Sequence, residues 1–240
     1  IINLNSNSII NIYDILNKPT IPADRKTINH FYQNENDLLI STGYGISVYD
    51  INEFEFGDTY YIDNLASMLN ISSTIVNENY IYASSPDLGI LRANVESNLI
   101  DFNSWQVIYT GNIHELLTND NNILFYDDFN LMSLKNEEII TLLKSENQIK
   151  NITSSNSKII IISDDNYIVY NNDLSQILNL FESETYMTVF NDGIVKNNKT
   201  YIATEEKGVL VIDNSDNGFY YLKPDGPLEN NIFSVETLNN

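Results

Sequence analysis

The chain has 240 residues, 27.4 kDa, 42% hydrophobic and 11% aromatic, enough for a sizeable core in one large all-β domain or two smaller ones. Lys and Arg number 12 against 33 Asp and Glu, a formal charge of −21, which excludes a phosphate-binding nucleic-acid face and plain electrostatic docking on an anionic membrane. With no cysteine there is no disulfide, thiol nucleophile or thiolate metal site, and no window approaches the roughly 18 apolar residues of a membrane-spanning helix.

Asn and Ile stand far above ordinary usage, a bias that AT-rich codons produce by themselves. The asparagines are scattered between short Ile, Val and Tyr runs, where they read as turn residues rather than a prion-like tract. Residues 1–16 read as the last hairpin of an earlier blade, turning at Ser6-Asn7. The chain opens at Ile1 inside an apolar run, carries no signal-peptide pattern, and closes just after the strand-like run Ile232–Leu238. On that reading both ends are cuts from a larger exported protein.

One pattern then recurs along the chain: an apolar strand ending in Ser or Thr, a turn, a Gly, and a second strand ending in Asp or Asn. It reads LLISTGYGISVYD at Leu38–Asp50, IYASSPDLGILRAN at Ile81–Asn94 and TYIATEEKGVLVID at Thr200–Asp213. Degraded copies begin at Ile123 and Ile159. Gly45, Gly89 and Gly208 open the second strand, and Asn130 and Asn166 replace them in the degraded copies. Because Asn tolerates a positive φ next best after Gly, the exchange predicts one conserved left-handed turn position.

The repeat length, roughly 36–44 residues, is that of a propeller blade. Each repeat holds four short runs, so the prediction is an all-β propeller of four-stranded antiparallel blades. Five whole blades fall at 27–62, 73–109, 113–145, 149–181 and 187–224. Partial blades fall at 1–16 and 228–240, and 1–240 reads as one truncated propeller domain. A pair of β-sandwiches is the rival fold, and helical turns at Glu137–Lys144 and Leu174–Phe181 are the local alternative to strands.

Catalytic chemistry is sparse. His30 and His114 are the two histidines, each assigned to an inner strand, and their separation argues against a shared metal. Asp213–Gly218 begins like a calcium loop, but the twelfth position is Pro224, so it reads as a turn between outer strands. Asp127-Asp128 and Asp164-Asp165 fall at the equivalent turn of their blades and read as solvated acids. Trp105 is assigned to an outer strand as an inter-blade packing residue. Tyr60-Tyr61 and Tyr220-Tyr221 fit alternating strand faces, and the sequons at Asn70, Asn151 and Asn198 carry little weight in so Asn-rich a chain. No nucleophile elbow, P-loop, dinucleotide fingerprint or Asp-box is present. No catalytic, cofactor-binding or metal residue is assigned, and no enzyme activity is expected.

Ile28–Ile62 resembles the first full blade of PorZ-type proteins of Bacteroidetes, in the runs Lys26–Asn29, Leu39–Asp50 and Asp58–Ile62. Gly226–Val235 resembles the linker of two-component-regulator propellers. The first resemblance implies a cell-surface component of the type IX secretion system, working in an attachment complex with a sortase. It also implies handling of the anionic lipopolysaccharide joined to cargo, without enzymatic activity or membrane insertion. The second implies the alternative, a periplasmic sensor propeller of a hybrid two-component regulator. Contact between so acidic a chain and a polyanion needs a basic cluster or a bridging divalent cation. Lys18 with Arg25 and Lys26, and Lys196 with Lys199 and Lys207, are the cluster candidates. The carboxylates of Asp127, Asp128, Asp164 and Asp165 are the cation candidates. The expectation is weak lipopolysaccharide binding by this segment alone.

Overall fold

The computed structural model describes residues 2–3, 8–9, 11–62, 68–119, 122–135, 137–155 and 157–223. The predicted strand Ile232–Leu238 and the linker-like Gly226–Val235 lie outside them. The chain divides into two compact units, Ile1–His114 and Glu115–Asn240.

In the first unit a short hairpin, β1 (Ile2–Asn3) with β2 (Ser8–Ile9), is followed by one helical turn, α1 (Asp14–Asn17), where the sequence reading had only strand. Blade 1 is the meander β3 (Ile28–Asn34), β4 (Asp37–Thr42), β5 (Gly45–Asp50) and β6 (Glu55–Tyr60). Blade 2 is β7 (Ser73–Asn77), β8 (Tyr80–Ser85), β9 (Gly89–Asn94) and β10 (Gln106–Tyr109). The two pack face to face: Leu39, Ile46 and Val48 of blade 1 share one buried cluster with Ile81, Ala83, Leu91 and Ala93 of blade 2. Trp105 also belongs to that cluster. It stands just ahead of β10, not within it, because a 3-10 turn at Phe102–Ser104 delivers its indole to the Leu99 carbonyl at 3.0 Å.

The second unit holds three blades. Blade 3 is β11 (Glu115–Asn119), β12 (Asn122–Tyr126), β13 (Asn130–Lys135) and β14 (Glu138–Lys144). Blade 4 is β15 (Ile149–Ser154), β16 (Lys158–Ser163), β17 (Asn166–Asn171) and β18 (Ile177–Glu182). Blade 5 is β19 (Phe190–Lys196), β20 (Lys199–Thr204), β21 (Val209–Asp213) and β22 (Phe219–Leu222). The ambiguous runs at Glu137–Lys144 and Leu174–Phe181 contain strands; the helical turn, α2 (Ser183–Tyr186), lies in the connection after β18.

The strand β16 shows why these runs are continuously apolar instead of alternating. Successive side chains point to opposite faces. Ile159 and Ile161 enter a cluster with Leu124, Tyr126 and Leu131 of blade 3. Ile160 and Ile162 enter another with Phe190, Val195, Ile202 and Leu210 of blade 5. A sheet buried on both faces needs apolar residues at every position.

The second-to-third-strand turn recurs with one local chemistry. The residue at or just after the end of each second strand is Thr42, Ser85, Asp127, Ser163 or Thr204, and its side-chain oxygen accepts an N–H from two or three residues on. The next strand opens at or just after Gly45, Gly89, Asn130, Asn166 and Gly208, in equivalent places. The glycines have φ of 133°, 106° and 81°, whereas neither asparagine adopts a positive φ. This corrects the expectation of a shared left-handed position. A Cβ at Gly45 would lie 2.3 Å from the Tyr60 carbonyl oxygen, and one at Gly208 2.3 Å from that of Leu222. Glycine is therefore required because the outer strand's carbonyl closes onto the turn. The asparagine turns are held differently: Asp127 accepts from the backbone N–H of Asn130 at 2.7 Å and from its amide at 2.9 Å.

Candidate functional site

The residues singled out in the sequence do not converge. Lys18, Arg25 and Lys26 each serve the fold. The Lys18 ammonium donates to Thr59 Oγ1 at 2.9 Å and lies over the rings of Tyr44 and Tyr61, at 5.4 and 5.8 Å. Arg25 donates to the Met68 carbonyl and Lys26 to that of Leu16. Lys196 and Lys199 face each other across the β19–β20 hairpin, whose turn residues Asn197 and Asn198 have φ of 51° and 59°. Lys207 sits beyond the opposite end of β20, donating to the Tyr186 carbonyl at 2.9 Å. The six residues of β20, at about 3.3 Å each, separate it from that pair. Lys207 is thus set apart from the Lys196–Lys199 pair.

The acidic turns are likewise occupied. Asp127 Oδ1 accepts from Phe129 and Asn130, Asp128 Oδ1 accepts from the Gln148 amide, and Asp164 pairs with Lys150. Asp165 offers its backbone carbonyl to the N–H of Ser183. At the calcium-like run, Asp213 accepts from Ser215 and Asp216 from Gly218, a turn between β21 and β22. Its bonds from Ser215 hold the Asp213 carboxyl below its ordinary value. Among the described residues no group of three His, Asp or Glu side chains is placed to hold a metal. His30 lies on the inner strand β3, where burial pushes its imidazole down to about 4. His114 precedes β11 and is not within it, a correction to its assignment. Tyr220 is exposed and Tyr221 packs on the core, the expected alternation.

What the structure does bring together is a set the sequence reading missed. In each blade an apolar residue stands at the start of the inner strand or two positions ahead of it, and two positions after that residue comes a polar one. The pairs are Ile28 and His30, Ile71 and Ser73, Ile113 and Glu115, Ile149 and Asn151, Phe190 and Asp192. Each polar residue pairs with the residue just before or at the Ser/Thr/Asp turn: Ser41, Ser84, Tyr126, Ile162 and Ala203. In three blades a bulge sits just ahead of it. A bulge inserts one residue and re-aims the next side chain.

In the second unit this position carries Glu115, Asn151 and Asp192. Asn151 Nδ2 donates to Asp192 Oδ1 at 3.1 Å, and the Gly193 N–H donates to the same oxygen at 2.8 Å. Asp192 is only 6% exposed. Glu115 is pushed up to about 8, first by burial and then by the charge of Asp192. Burial raises Tyr126 and Tyr167 well above the usual phenol range, with Asp192 contributing to both. Tyr126 gives its hydroxyl to the Lys150 carbonyl at 3.1 Å. Gly193 leaves room for Tyr167, whose ring would stand 2.5 Å from a Cβ there. The recurring Ile/Phe-x-polar pattern at or just ahead of each inner strand was the signal that marked these residues.

Blades of this kind define the class, a β-propeller. The particular likeness is to PorZ: residues 2–106 match the family model of the PorZ N-terminal β-propeller domain of the type IX secretion system. The PorZ-type resemblance read from Ile28–Ile62 is thereby borne out. Among solved structures the chain is similar to PorZ of Porphyromonas gingivalis, described as an essential bacterial surface component of that system. Identity is 18% and the TM-score 0.63, covering 85% of this chain and 27% of that one. It is also similar to the extracellular domains of two putative hybrid two-component systems from B. thetaiotaomicron. These have 16% and 13% identity, a TM-score of 0.63 in both cases, 82% and 91% of this chain, and 30% and 31% of theirs. The chain thus spans under a third of each of these structures. No curated protein matches it. Among the described residues no helix is long and apolar enough to cross a membrane.

Proposed function

We propose that this chain is a non-enzymatic binding and scaffold propeller of a PorZ-type type IX secretion component, exported to the cell surface. The observation that carries this reading is the PorZ domain match over residues 2–106, which includes the resembling blade Ile28–Ile62. Its partners would be the sortase and other attachment-complex proteins. Polar side chains that are spent on turns and on the backbone, as at Asp127, Asp213 and Lys207, fit a scaffold better than a catalyst. Anionic lipopolysaccharide would meet the chain weakly, because its lysines are dispersed and its charge is −21.

The test is an in-frame deletion of these blades from the native protein in its own bacterium. Cargo that is no longer anchored at the surface supports the reading. Normal anchoring with a lost transcriptional response favours the second reading, a sensor propeller of a hybrid two-component system, which the B. thetaiotaomicron likenesses support. Titration of purified anionic lipopolysaccharide, with and without chelator, tests the finer claim. Micromolar, chelator-independent binding lost in the double variant Lys196→Glu, Lys199→Glu would overturn it.

A further inference from the structure

The outer strand of each blade ends its sheet, so among the described residues one row of its backbone N–H and C=O groups has no ladder partner. Short length, glycine and edge lysines blunt such edges. Strands β10 and β22 are four residues long, β6 carries Glu55, Gly57 and Asp58, and β14 runs from Glu138 to Lys144. Strand β18, Ile177–Glu182, has none of these devices: it is six residues long, holds no Lys, Gly or Pro, and keeps its one charge for its last residue. Its Ile177, Leu178 and Leu180 are 51%, 39% and 50% exposed. A bulge near its start leaves Asn179–Glu182 in regular register with β17.

This edge opens onto an apolar slot. Residues paired across a sheet share a face. Leu180 pairs with Ile168 and Ile177 with Tyr170, and both partners pack on the core shared with blade 3. From blade 3, Leu143 pairs with Leu131 of that core, and Ile140 pairs with Ser133, two residues along β13 on the same face. Ile140, also half exposed, is therefore turned toward Ile177 and Leu180 between the outer strands of the two blades. A strand added to β18 would complete its ladder and set alternate side chains into this slot. Charge selects the occupant. From Ile159 to Val195 the chain has no Lys, Arg or His, while Asp173, Glu182 and Glu184 stand exposed at the two ends of β18. At a net charge of −21 a second copy is repelled from this edge, and a cationic segment is drawn to it.

We propose that β18 is a docking edge for an extended, basic segment of a partner protein, which pairs with it as a fifth strand of blade 4 and seats alternate apolar side chains between Ile140 and Leu180. The inference concerns blades 3 and 4 alone, and it stands for a secretion component and for a sensor alike.

The probe is a short acetylated peptide of alternating valine and threonine flanked by lysines, titrated into the full chain. It should bind saturably, and a version flanked by glutamates should bind about tenfold more weakly or less. A proline at its centre, which removes a ladder donor, should abolish binding. Hydrogen exchange with the lysine peptide bound should slow the β18 amides that point away from β17 and leave those of β10, β14 and β22 unchanged. Leu180→Lys puts a cation on the edge at a half-exposed position and should weaken binding about tenfold. No saturation at millimolar peptide, equal binding of the lysine and glutamate peptides, binding that survives the proline, or protection at another edge overturns the proposal. So does a dimer of the chain that Leu180→Lys dissolves, since the occupant would then be a second copy. Should Leu180→Lys fail to fold, the three peptides and the exchange map on the wild type still decide it.

Discussion

Replacing Gly208 by Ala tests the account of the propeller turn most sharply. Gly208 has φ of 81°, and its Cβ would stand 2.3 Å from the Leu222 carbonyl oxygen, a distance real Cβ atoms do not reach. Two costs follow. Holding an alanine at positive φ costs about 1–2 kcal/mol. Moving Leu222 aside weakens the end of β22, which pairs with β21 only through Val209–Leu222, Leu210–Tyr221, Val211–Tyr220 and Ile212–Phe219. One lost ladder bond adds about 1 kcal/mol. The sum is about 2–3 kcal/mol in a unit whose total stability is of order 5–15. Asn166 occupies the equivalent place without a positive φ, and its N–H donates to Ser163 Oγ at 3.1 Å, a bond that alanine keeps. Asn166→Ala should therefore cost under about 0.5 kcal/mol. Urea unfolding followed by circular dichroism reads both units, and Trp105 fluorescence reads the first alone, so a transition seen only by circular dichroism belongs to the second unit. An unchanged midpoint for Gly208→Ala, or equal losses for the two variants, would refute the reasoning.

Asn198→Gly should stabilise the β19–β20 hairpin by about 0.5 kcal/mol, since both turn residues have positive φ and Asn-Gly is the preferred pair; a lowered urea midpoint contradicts it. His30 links the first unit to acid. With its imidazole held at about 4 against an ordinary 6.5, stability should fall as pH drops from 6.5 to 4 and be flat above that range. Trp105 fluorescence during urea unfolding should show this fall, of order 2–3 kcal/mol, and His30→Asn should remove it.

Much of the fold was legible because its determinants are local. The Ser/Thr/Asp residue at the end of each second strand or just past it, and the Gly or Asn at the start of the third or just before it, are turn chemistry, readable from a few adjacent residues. The apolar runs of β4 and β16 marked sheets buried on both faces. Legibility failed where the cause is a distant contact. Asn130 and Asn166 were assigned a left-handed φ because only the turn was in view. The contact that demands glycine at Gly208 comes from Leu222, fourteen residues on in the next strand. The bond from Asn151 to Asp192 was illegible for the same reason. The residues are 41 positions apart and meet only across neighbouring blades, β15 to β19. The second lysine set came apart because proximity in sequence is not proximity along a β-strand: Lys199 and Lys207 lie toward opposite ends of β20.

The apolar residue at or just ahead of the start of each inner strand supplies the last prediction. Ile71, Ile113, Ile149 and Phe190 are at most 1% exposed, whereas their counterpart Ile28 is 48% exposed. Ile28 and Phe31 line an apolar groove of about 290 Å³ on the face of blade 1 that also carries Ile40 and Tyr49, with Ile12 and Leu16 on its far side. Leu39, one residue from Ile40, points the other way into the core shared with blade 2. Alternation along β4 thus makes both faces of blade 1 apolar, although only one meets a neighbouring blade within its unit. Truncating a fully buried isoleucine removes its transfer energy and leaves a cavity, so Ile71→Ala should cost about 2–4 kcal/mol. The half-exposed Ile28 has less to lose and leaves no closed cavity, so Ile28→Ala should cost about 1 kcal/mol or less. Unfolding of the first unit, followed by Trp105 fluorescence, measures both. Equal losses would mean that Ile28 is as deeply buried in solution as its four counterparts, and that the groove is a packed interface rather than an open face.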